Sequence, residues 1–261
     1  MKNYKLISWN VNGVRAILKK DFWNIIENLN PDILALQETK ADDLIMATDI
    51  LNNKTYPEIH WHSNSQRKGY CGVVTLAKIP TIEVQKGFLL EEFDPEGRVI
   101  ITKFQDFTFL NIYFPNGGQG PHRVDYKIRF YDACLNFMES LRAKGEKLII
   151  AGDYNTAHQE IDLHDPKNNQ NTSGFLPIER AWLNKLIEYN YIDTFRHFYP
   201  EEKDIYTWWD MKTRSRERNK GWRIDYFFVA PELKDNLTKA FVLPEVIGSD
   251  HCPIGIEIRF D

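Results

Sequence analysis

Asp250 and His251 stand side by side in GSDHCPIGIEI, residues 248 to 258, directly ahead of an alternation in which Ile254, Ile256 and Ile258 are separated by Gly255 and Glu257. The alternation predicts a half-buried strand. An acid and an imidazole at its mouth could move protons, hold a phosphate or bind a metal. Four other apolar runs carry polar clusters at or near one end. SWNVNG presents Asn10 and Asn12; LALQETK presents Gln37 and Glu38; IIAGDYNTAH presents Asp153, Asn155 and His158; GWRIDYFF presents Asp225. An isolated Asx residue at a strand end often only starts a turn. Five clusters gathering Asp, Glu, Asn and His point instead to a site displayed where strands give way to loops.

The residue types narrow the chemistry. Carboxylates and amide oxygens without thiolates suit a hard cation such as Mg²⁺ or Mn²⁺. No HExxH or paired-cysteine spacing speaks for zinc, and neither GxxxxGK[ST] nor GxGxxG is present for a nucleotide cofactor. A protein nucleophile is missing too. No GxSxG elbow exists, and Cys252 follows His251 in a strand-like stretch, where neighbouring side chains point to opposite faces. Cys252 is therefore expected to pack and water to be the attacking group, with His251 and Asp225 forming an oriented imidazole.

These residues need strands to position them. Apolar runs predict strands at 5–9, 32–37, 72–77, 98–104, 107–114, 147–152, 223–230 and 254–260, with Gln105 and Asp106 closing a hairpin. Helical spacing appears at 22–29, at 126–142 through Ile128, Tyr131, Leu135, Met138 and Leu141, and at 177–188, where Pro177 suits a first turn. Gly145 offers a stop to the second helix. The aromatic and methionine stripes are expected to be core. Interleaved strands and helices, with strands in excess, predict an α/β sandwich of two helix-covered sheets.

With 261 residues, no repeats and no low-complexity linker, one domain spanning 1–261 is the simplest expectation. No apolar run nears the ~20 residues of a membrane span. The start reads as a strand rather than a leader, and the three cysteines are scattered, so a reducing cytoplasmic setting is expected. The net charge of −4 argues mildly against nucleic acid. The stretch YTWWDMKTRSRERNKGWR, 206–223, argues the other way: Lys212, Arg214, Arg216, Arg218, Lys220 and Arg223 are flanked by Trp208, Trp209 and Trp222. Cations can neutralise phosphates while aromatics stack on bases or enclose a sugar. A second basic patch is RKGY at 67–70.

Taken in order, SWNVNGVRA, LQETK, RKGYCGV, EGRVI, NIYFPNG, GDYNTAHQEIDL, SGFLPIERAW, YTWWDMKTRSRERNKGWRIDYFFV and GSDHCPIG resemble the exonuclease III family of apurinic/apyrimidinic endonucleases, within the DNase I-like superfamily. They run from residue 8 to 255. The GD-N and SDH pieces alone also resemble DNase I, inositol-phosphate phosphatases and sphingomyelinases; LQETK, YFPNG and GWRIDYFFV are specific to the DNA-repair branch. The resemblance implies a four-layered α/β sandwich, with two mixed sheets packed face to face and flanked by helices. It implies Mg²⁺-dependent hydrolysis of the phosphodiester 5′ to an abasic site in double-stranded DNA, with Mn²⁺ as a substitute, often with 3′→5′ exonuclease or 3′-phosphodiesterase activity. Some relatives also nick at uracil or other altered nucleotides. A monomer is expected, with no membrane partner.

By the same resemblance, Glu38 is the principal metal ligand, with Asn10, Asn12 and Asp250 beside it and Asp153, Asn155 and His251 at the metal's edge. Asp153 aligns and deprotonates water, and Asn155 stabilises the transition state. His251, held by Asp225, binds the phosphate or acts as the base. Tyr113 contacts the phosphate. Asn116, Asn169 and Arg214 are DNA contacts, and Trp208, Trp222 and Ile224 receive a flipped sugar. Three positions depart from some members: Asn12 stands for Asp, Gln119 for an Arg that probes DNA, and Thr172 for Asn.

Overall fold

The computed structural model describes residues 1–41, 50 and 53–261. Its strands are β1 (Lys2–Asn10), β2 (Ile33–Gln37), β3 (Glu58–His62), β4 (Val73–Ala77), β5 (Glu83–Lys86), β6 (Val99–Lys103), β7 (Thr108–Tyr113), β8 (Leu148–Asp153), β9 (Ile192–Asp193), β10 (Asp225–Val229), β11 (Leu237–Val242) and β12 (Ile254–Phe260). They form two six-stranded sheets, in the orders β11-β12-β1-β2-β4-β3 and β5-β6-β7-β8-β10-β9. The helices are α1 (Val14–Ile17), α2 (Phe22–Leu29), α3 (Pro121–Arg142), α4 (Pro166–Asn169), α5 (Pro177–Glu188) and α6 (Thr194–Phe198).

Each sheet is built on a parallel pair, β1 with β2 and β7 with β8; the neighbouring β12 and β10 run antiparallel to these. The register matters for the site. Asn10 lies opposite Gln37, Tyr113 opposite Asp153, Asp153 opposite Asp225, and Ser8 opposite Ile254. Strands leaving the core and strands entering it therefore place their polar ends at one rim.

Three cores account for the layers. Between the sheets lie Leu6, Ile33, Ala35, Phe109, Ile149, Ala151, Phe227, Val229 and Ile256. Outside the first sheet, Ile7, Trp9, Leu34 and Leu36 meet Val14, Ile17, Phe22 and Ile26 of the first two helices. Outside the second, Leu110, Ile112, Leu148 and Ile150 meet Phe130, Tyr131, Leu135, Met138, Trp182, Leu183 and Leu186 of α3 and α5. Central strands thus bury both faces, which is why they read as continuous apolar runs. Each fully buried Leu, Ile or Phe contributes roughly 1.5–3 kcal/mol.

All eight predicted runs are strands, and β6 and β7 form the expected hairpin across Gln105 and Asp106, closed by Phe104 N donating to Phe107 O at 2.9 Å. The sequence pattern misses β3, β5, β9 and β11. The first, second and fourth are edge or near-edge strands with mixed exposure, and β9 has two residues. α1, α4 and α6 are too short to show a period. α3 starts at Pro121, five residues before the predicted 126, because Gly120 (φ +106) and the proline together open a helix. Among the described residues, no helix is long and apolar enough to cross a membrane.

Gly152, next to Asp153, has φ +151, and a Cβ there would lie 1.7 Å from Ile112 O. Glycine is what lets β8 approach β7 so closely. Gly152→Ala should cost at least about 2 kcal/mol in urea unfolding, in the range of overpacked cores; a change under about 0.5 kcal/mol would show that the strands can part freely.

Candidate active site

The rim carries a cleft of about 380 Å³, lined by Asn12, Glu38, Lys40, Tyr113, Asn116, Asp153, Asn155, Thr172, Ser173, Gly174, Trp208, Trp222, Ile224, Asp250 and His251. Its floor joins the two sheets. Asn10, at the end of β1 and fully buried, donates through Nδ2 to Glu38 Oε2 (3.0 Å) and to Asp153 Oδ2 (2.9 Å). One amide thus couples the carboxylate that follows β2 to the carboxylate that ends β8. Asn10 Oδ1 accepts from Asn12 N (3.0 Å), and Asn12 Nδ2 donates to Asp250 Oδ1 (2.9 Å). The other oxygen, Asp250 Oδ2, accepts from Trp208 Nε1 (3.1 Å). Burial works against ionised Asp250, but the His251 charge and these two donors outweigh it and hold its pKa below the ordinary value.

His251 lines the cleft beside Asp153. Its Nδ1 is 2.8 Å from Asp225 Oδ2, and that same oxygen accepts from Thr207 Oγ1 at 2.6 Å. Thr207 Oγ1 in turn accepts from the backbone N–H groups of Ile224 (3.0 Å) and Asp225 (3.1 Å). The ring is thereby held with Nε2 toward Asp153 Oδ2, 3.9 Å away. Burial alone would lower the imidazole pKa; Asp225 and then Asp153 reverse this and raise it to about 10. Asp153 moves up as well, because burial and the Asp225 charge both oppose its ionisation, against stabilisation by His251, Asn155 N and Asn10. The Asp153 and His251 charges thus stabilise each other.

Asn155 takes φ +52 to turn back over Asp153: its N donates to Asp153 Oδ1 (2.7 Å), and its Nδ2 to Asp153 Oδ2 (3.2 Å) and Phe114 O (3.0 Å). Asn116 Nδ2 donates to Asn155 Oδ1 (3.0 Å), which fixes the amide's orientation. Tyr113 is buried over the Arg98 guanidinium, 4.8 Å from its ring centroid, and Arg98 Nη1 donates to Tyr113 O (3.1 Å). Trp208 and Trp222 meet edge to face at 6.3 Å and 82°, with Ile224 between pocket and core.

The donor set suits a hard cation on the Glu38 side. Lys40 Nζ lies 2.9 Å from Glu38 Oε1 and donates to Asn12 Oδ1 at 2.5 Å, so these oxygens already surround a positive charge. Asp153, Asp225 and His251 also bring ligand atoms within 4.8 Å of one another. That trio is a poorer cradle, because His251 Nδ1 and Asp225 Oδ2 are already spent on each other and on Thr207.

The model for the endonuclease/exonuclease/phosphatase family matches residues 7–251. The chain belongs to that family. It is 40% identical over 256 residues to an exodeoxyribonuclease of Bacillus subtilis, spanning 98% of this chain and 99% of that one. It is 39% identical over 252 residues to the DNA repair nuclease APEX1 of Danio rerio, spanning 97% and 81%. Its fold matches the crystal structure of an AP endonuclease from Leishmania major with a TM-score of 0.90 at 31% identity, covering 100% of this chain and 89% of the other.

Within this family member, the expected residues are distributed as follows. Glu38, Asn12, Tyr113, Asn116, Asp153, Asn155, Trp208, Trp222, Ile224, Asp250 and His251 line the cleft, while Asn10 and Asp225 lie directly behind it. Asn169 donates to Asp165 O (2.8 Å) in α4, and Arg214 is exposed on the 206–223 loop; neither is part of the lining. Gln37 and His158, which the strand-end pattern also picks out, turn elsewhere. Gln37 bonds Ser8 and Asn111 between the sheets, and His158 bonds Asn184. The basic stretch divides too. Arg223 is buried against Asp162 and Asp193, and Arg216 holds the carbonyls of Pro244, Val246 and Ser249 ahead of Asp250. Lys212, Arg214, Arg218 and Lys220 are exposed. Cys252 is fully buried, its thiol pKa raised by burial, in keeping with packing.

Sequence reasoning passes over Lys40, Thr207 and a buried pair beneath the cleft. Lys127 Nζ donates to Asn155 O, Thr156 Oγ1 and Glu179 Oε1, each at 2.7 Å, and Glu179 accepts from Gly174 N (2.6 Å), Leu176 N (3.0 Å) and Ser173 Oγ (2.9 Å). The pair ties the Asn155 loop to the Gly174 loop across the pocket. A signal existed: Lys127 is four residues before Tyr131 on the buried stripe of α3.

Two outcomes follow. Lys127→Met strands the Glu179 charge in the interior and should cost roughly 3–5 kcal/mol; denaturant midpoints measure this, and a loss below about 1 kcal/mol would show the pair to be dispensable. Asp225→Asn removes the main charge that raises the His251 pKa while burial still lowers it, so imidazole NMR should show His251 deprotonating at a lower pH than in the parent protein. An unchanged titration would mean that Asp225 does not control the ring.

Proposed function

We infer that this protein is a DNA-repair nuclease, a hydrolase of DNA phosphodiesters, and we propose that it cuts duplex DNA on the 5′ side of abasic sites with trimming of 3′ ends as a second activity. The observation that carries this reading is the cleft itself. Its lining joins a polar wall of Asp153, Asn155 and His251 to an aromatic and apolar wall of Trp208, Trp222 and Ile224, with the Trp208 ring centroid 6.5 Å from that of His251. The polar wall suits a phosphodiester. The other suits a sugar turned out of the helix without a base to clash. Exposed Lys212, Arg214, Arg218 and Lys220, with Arg67 and Lys68, supply positive charge for the flanking backbone in a chain of net charge −4.

Such a reaction asks three things of these residues. Asp153, with its carboxylate fixed by three donors, orients and deprotonates the attacking water. His251, oriented by Asp225, presents Nε2 to a phosphate oxygen as charge develops there. Asn155 and Tyr113 line the same wall as further contacts. Glu38, with Asn10, Asn12 and Asp250, would hold Mg²⁺ or Mn²⁺, which when bound neutralises the phosphate and the departing 3′-oxygen. Activity as a monomer is part of the same proposal.

Matched duplexes carrying an abasic analogue, uracil, a recessed 3′ end or no lesion test the substrate. Incision should be strongest at the abasic analogue, vanish in EDTA and return with Mg²⁺. Asp153→Asn and His251→Ala should each lose on the order of 10²–10³ in rate with an unchanged circular dichroism spectrum. Parent-like turnover in either variant, or equal cutting of the lesion-free duplex, would defeat the proposal.

A further inference from the structure

Lys40 occupies a place in the cleft that the steps above leave unused. Its ammonium bridges Glu38 Oε1 (2.9 Å) and Asn12 Oδ1 (2.5 Å), which belong to the ends of two different strands. The lone pairs it takes are the ones the cleft can use. Glu38 Oε2 already accepts from Asn10 Nδ2, and Asn12 Nδ2 is committed to Asp250 Oδ1, so Asn12 Oδ1 must face Lys40. The backbone is bent to achieve this. Asn12, Glu38 and Lys40 have φ values of +46, +55 and +52. Non-glycine residues keep such conformations only where the surroundings enforce them. Here Asn12 N donates to Asn10 Oδ1, Gly13 N to Glu38 O (2.8 Å) and Lys40 N to Cys71 O (2.7 Å). The Lys40 side chain is 37% exposed against 18% for Glu38, so its flexible stem can carry the charge outward from the mouth of the cleft.

We propose that Lys40 is a built-in placeholder for the divalent cation. It holds Glu38 Oε1 and Asn12 Oδ1 in place, yields them when the cation arrives, and transfers its charge to a phosphate oxygen of the substrate. This rests on the reading of the cleft as a phosphodiester site. Two cations cannot share the same lone pairs at contact distance, so Lys40 weakens cation binding in the absence of DNA. A phosphate that draws Lys40 outward removes that competition. Cation and DNA then strengthen each other's binding by the same factor, as linkage requires.

Mn²⁺ titration followed by electron paramagnetic resonance tests this, first on the protein alone. Lys40→Met keeps the stem and removes the charge, and should tighten Mn²⁺ binding on the order of tenfold, the scale of one partly screened unit charge. Lys40→Arg keeps the charge and should stay within about twofold of the parent. Unchanged or weaker binding in Lys40→Met, or equal tightening in Lys40→Arg, would overturn the proposal. The titration is then repeated with a nicked duplex bearing a 5′-terminal tetrahydrofuran phosphate and phosphorothioate links against trimming. This DNA should raise Mn²⁺ affinity in the parent and do so much less in Lys40→Met. Equal enhancement in both would refute the transfer to phosphate. If the DNA fails to bind either protein while the first titration behaves as expected, the placeholder stands and the DNA reading falls.

Discussion

The site depends on one amide. Asn10 is fully buried, and its Nδ2 joins Glu38 from one sheet to Asp153 from the other. Two carboxylates at the meeting of two sheets would otherwise repel each other in a medium that screens poorly. A neutral donor between them satisfies one oxygen of each; the other oxygen of Glu38 meets Lys40, and that of Asp153 meets Asn155 N. Around that link the site separates into two halves. On one side Glu38, Asn12 and Asp250 gather oxygen donors. On the other, Asp225 and Asp153 favour the charged form of the His251 imidazole.

Stiffness comes from charges that never meet solvent. Arg223 against Asp162 and Asp193, and Lys127 against Glu179, are buried pairs with their hydrogen bonds filled. Arg98, buried beneath Tyr113, is bonded to Glu96 and to the Tyr113 carbonyl. Buried pairs of this kind add little net stability relative to apolar replacements, but they are costly to break singly and so tolerate few alternative arrangements. Each stands beneath a working residue: Arg98 under Tyr113, Lys127 under Asn155, and Arg223 between Trp222 and Ile224. Preorganised dipoles are useful to a reaction only if they do not relax when charge moves, and a lattice of paired ions supplies that resistance.

Much of this was legible in the chain. Central strands bury both faces, so their apolar runs are long and unbroken, and all eight appear as strands. Edge strands such as β5 and β11 show no regular alternation of buried and exposed residues, and their composition barely departs from that of loops. The polar strand ends were legible because carboxylates and imidazoles seldom follow apolar runs by accident; yet Gln37 and His158 fit the same pattern and point away. The basic stretch misled in another way. Sequence alone does not reveal that Arg223 faces two buried carboxylates while Lys220, three positions earlier, faces solvent.

What the sequence by itself determined is the class of chemistry and the layered fold. Hard oxygen ligands without thiolates, no protein nucleophile and an unbroken series of family motifs left little room for another reading. What only the tertiary structure decided is the pairing: Asn10 between Glu38 and Asp153, Thr207 beneath Asp225, Lys40 on Asn12, and Trp208 on Asp250. These contacts join residues up to 143 positions apart in the case of Asn10 and Asp153. They exist because two antiparallel strands bring their starts to the rim where two parallel pairs end. Local propensity determines each strand, but the register between strands is set by packing across two sheets, and that register decides which polar ends meet.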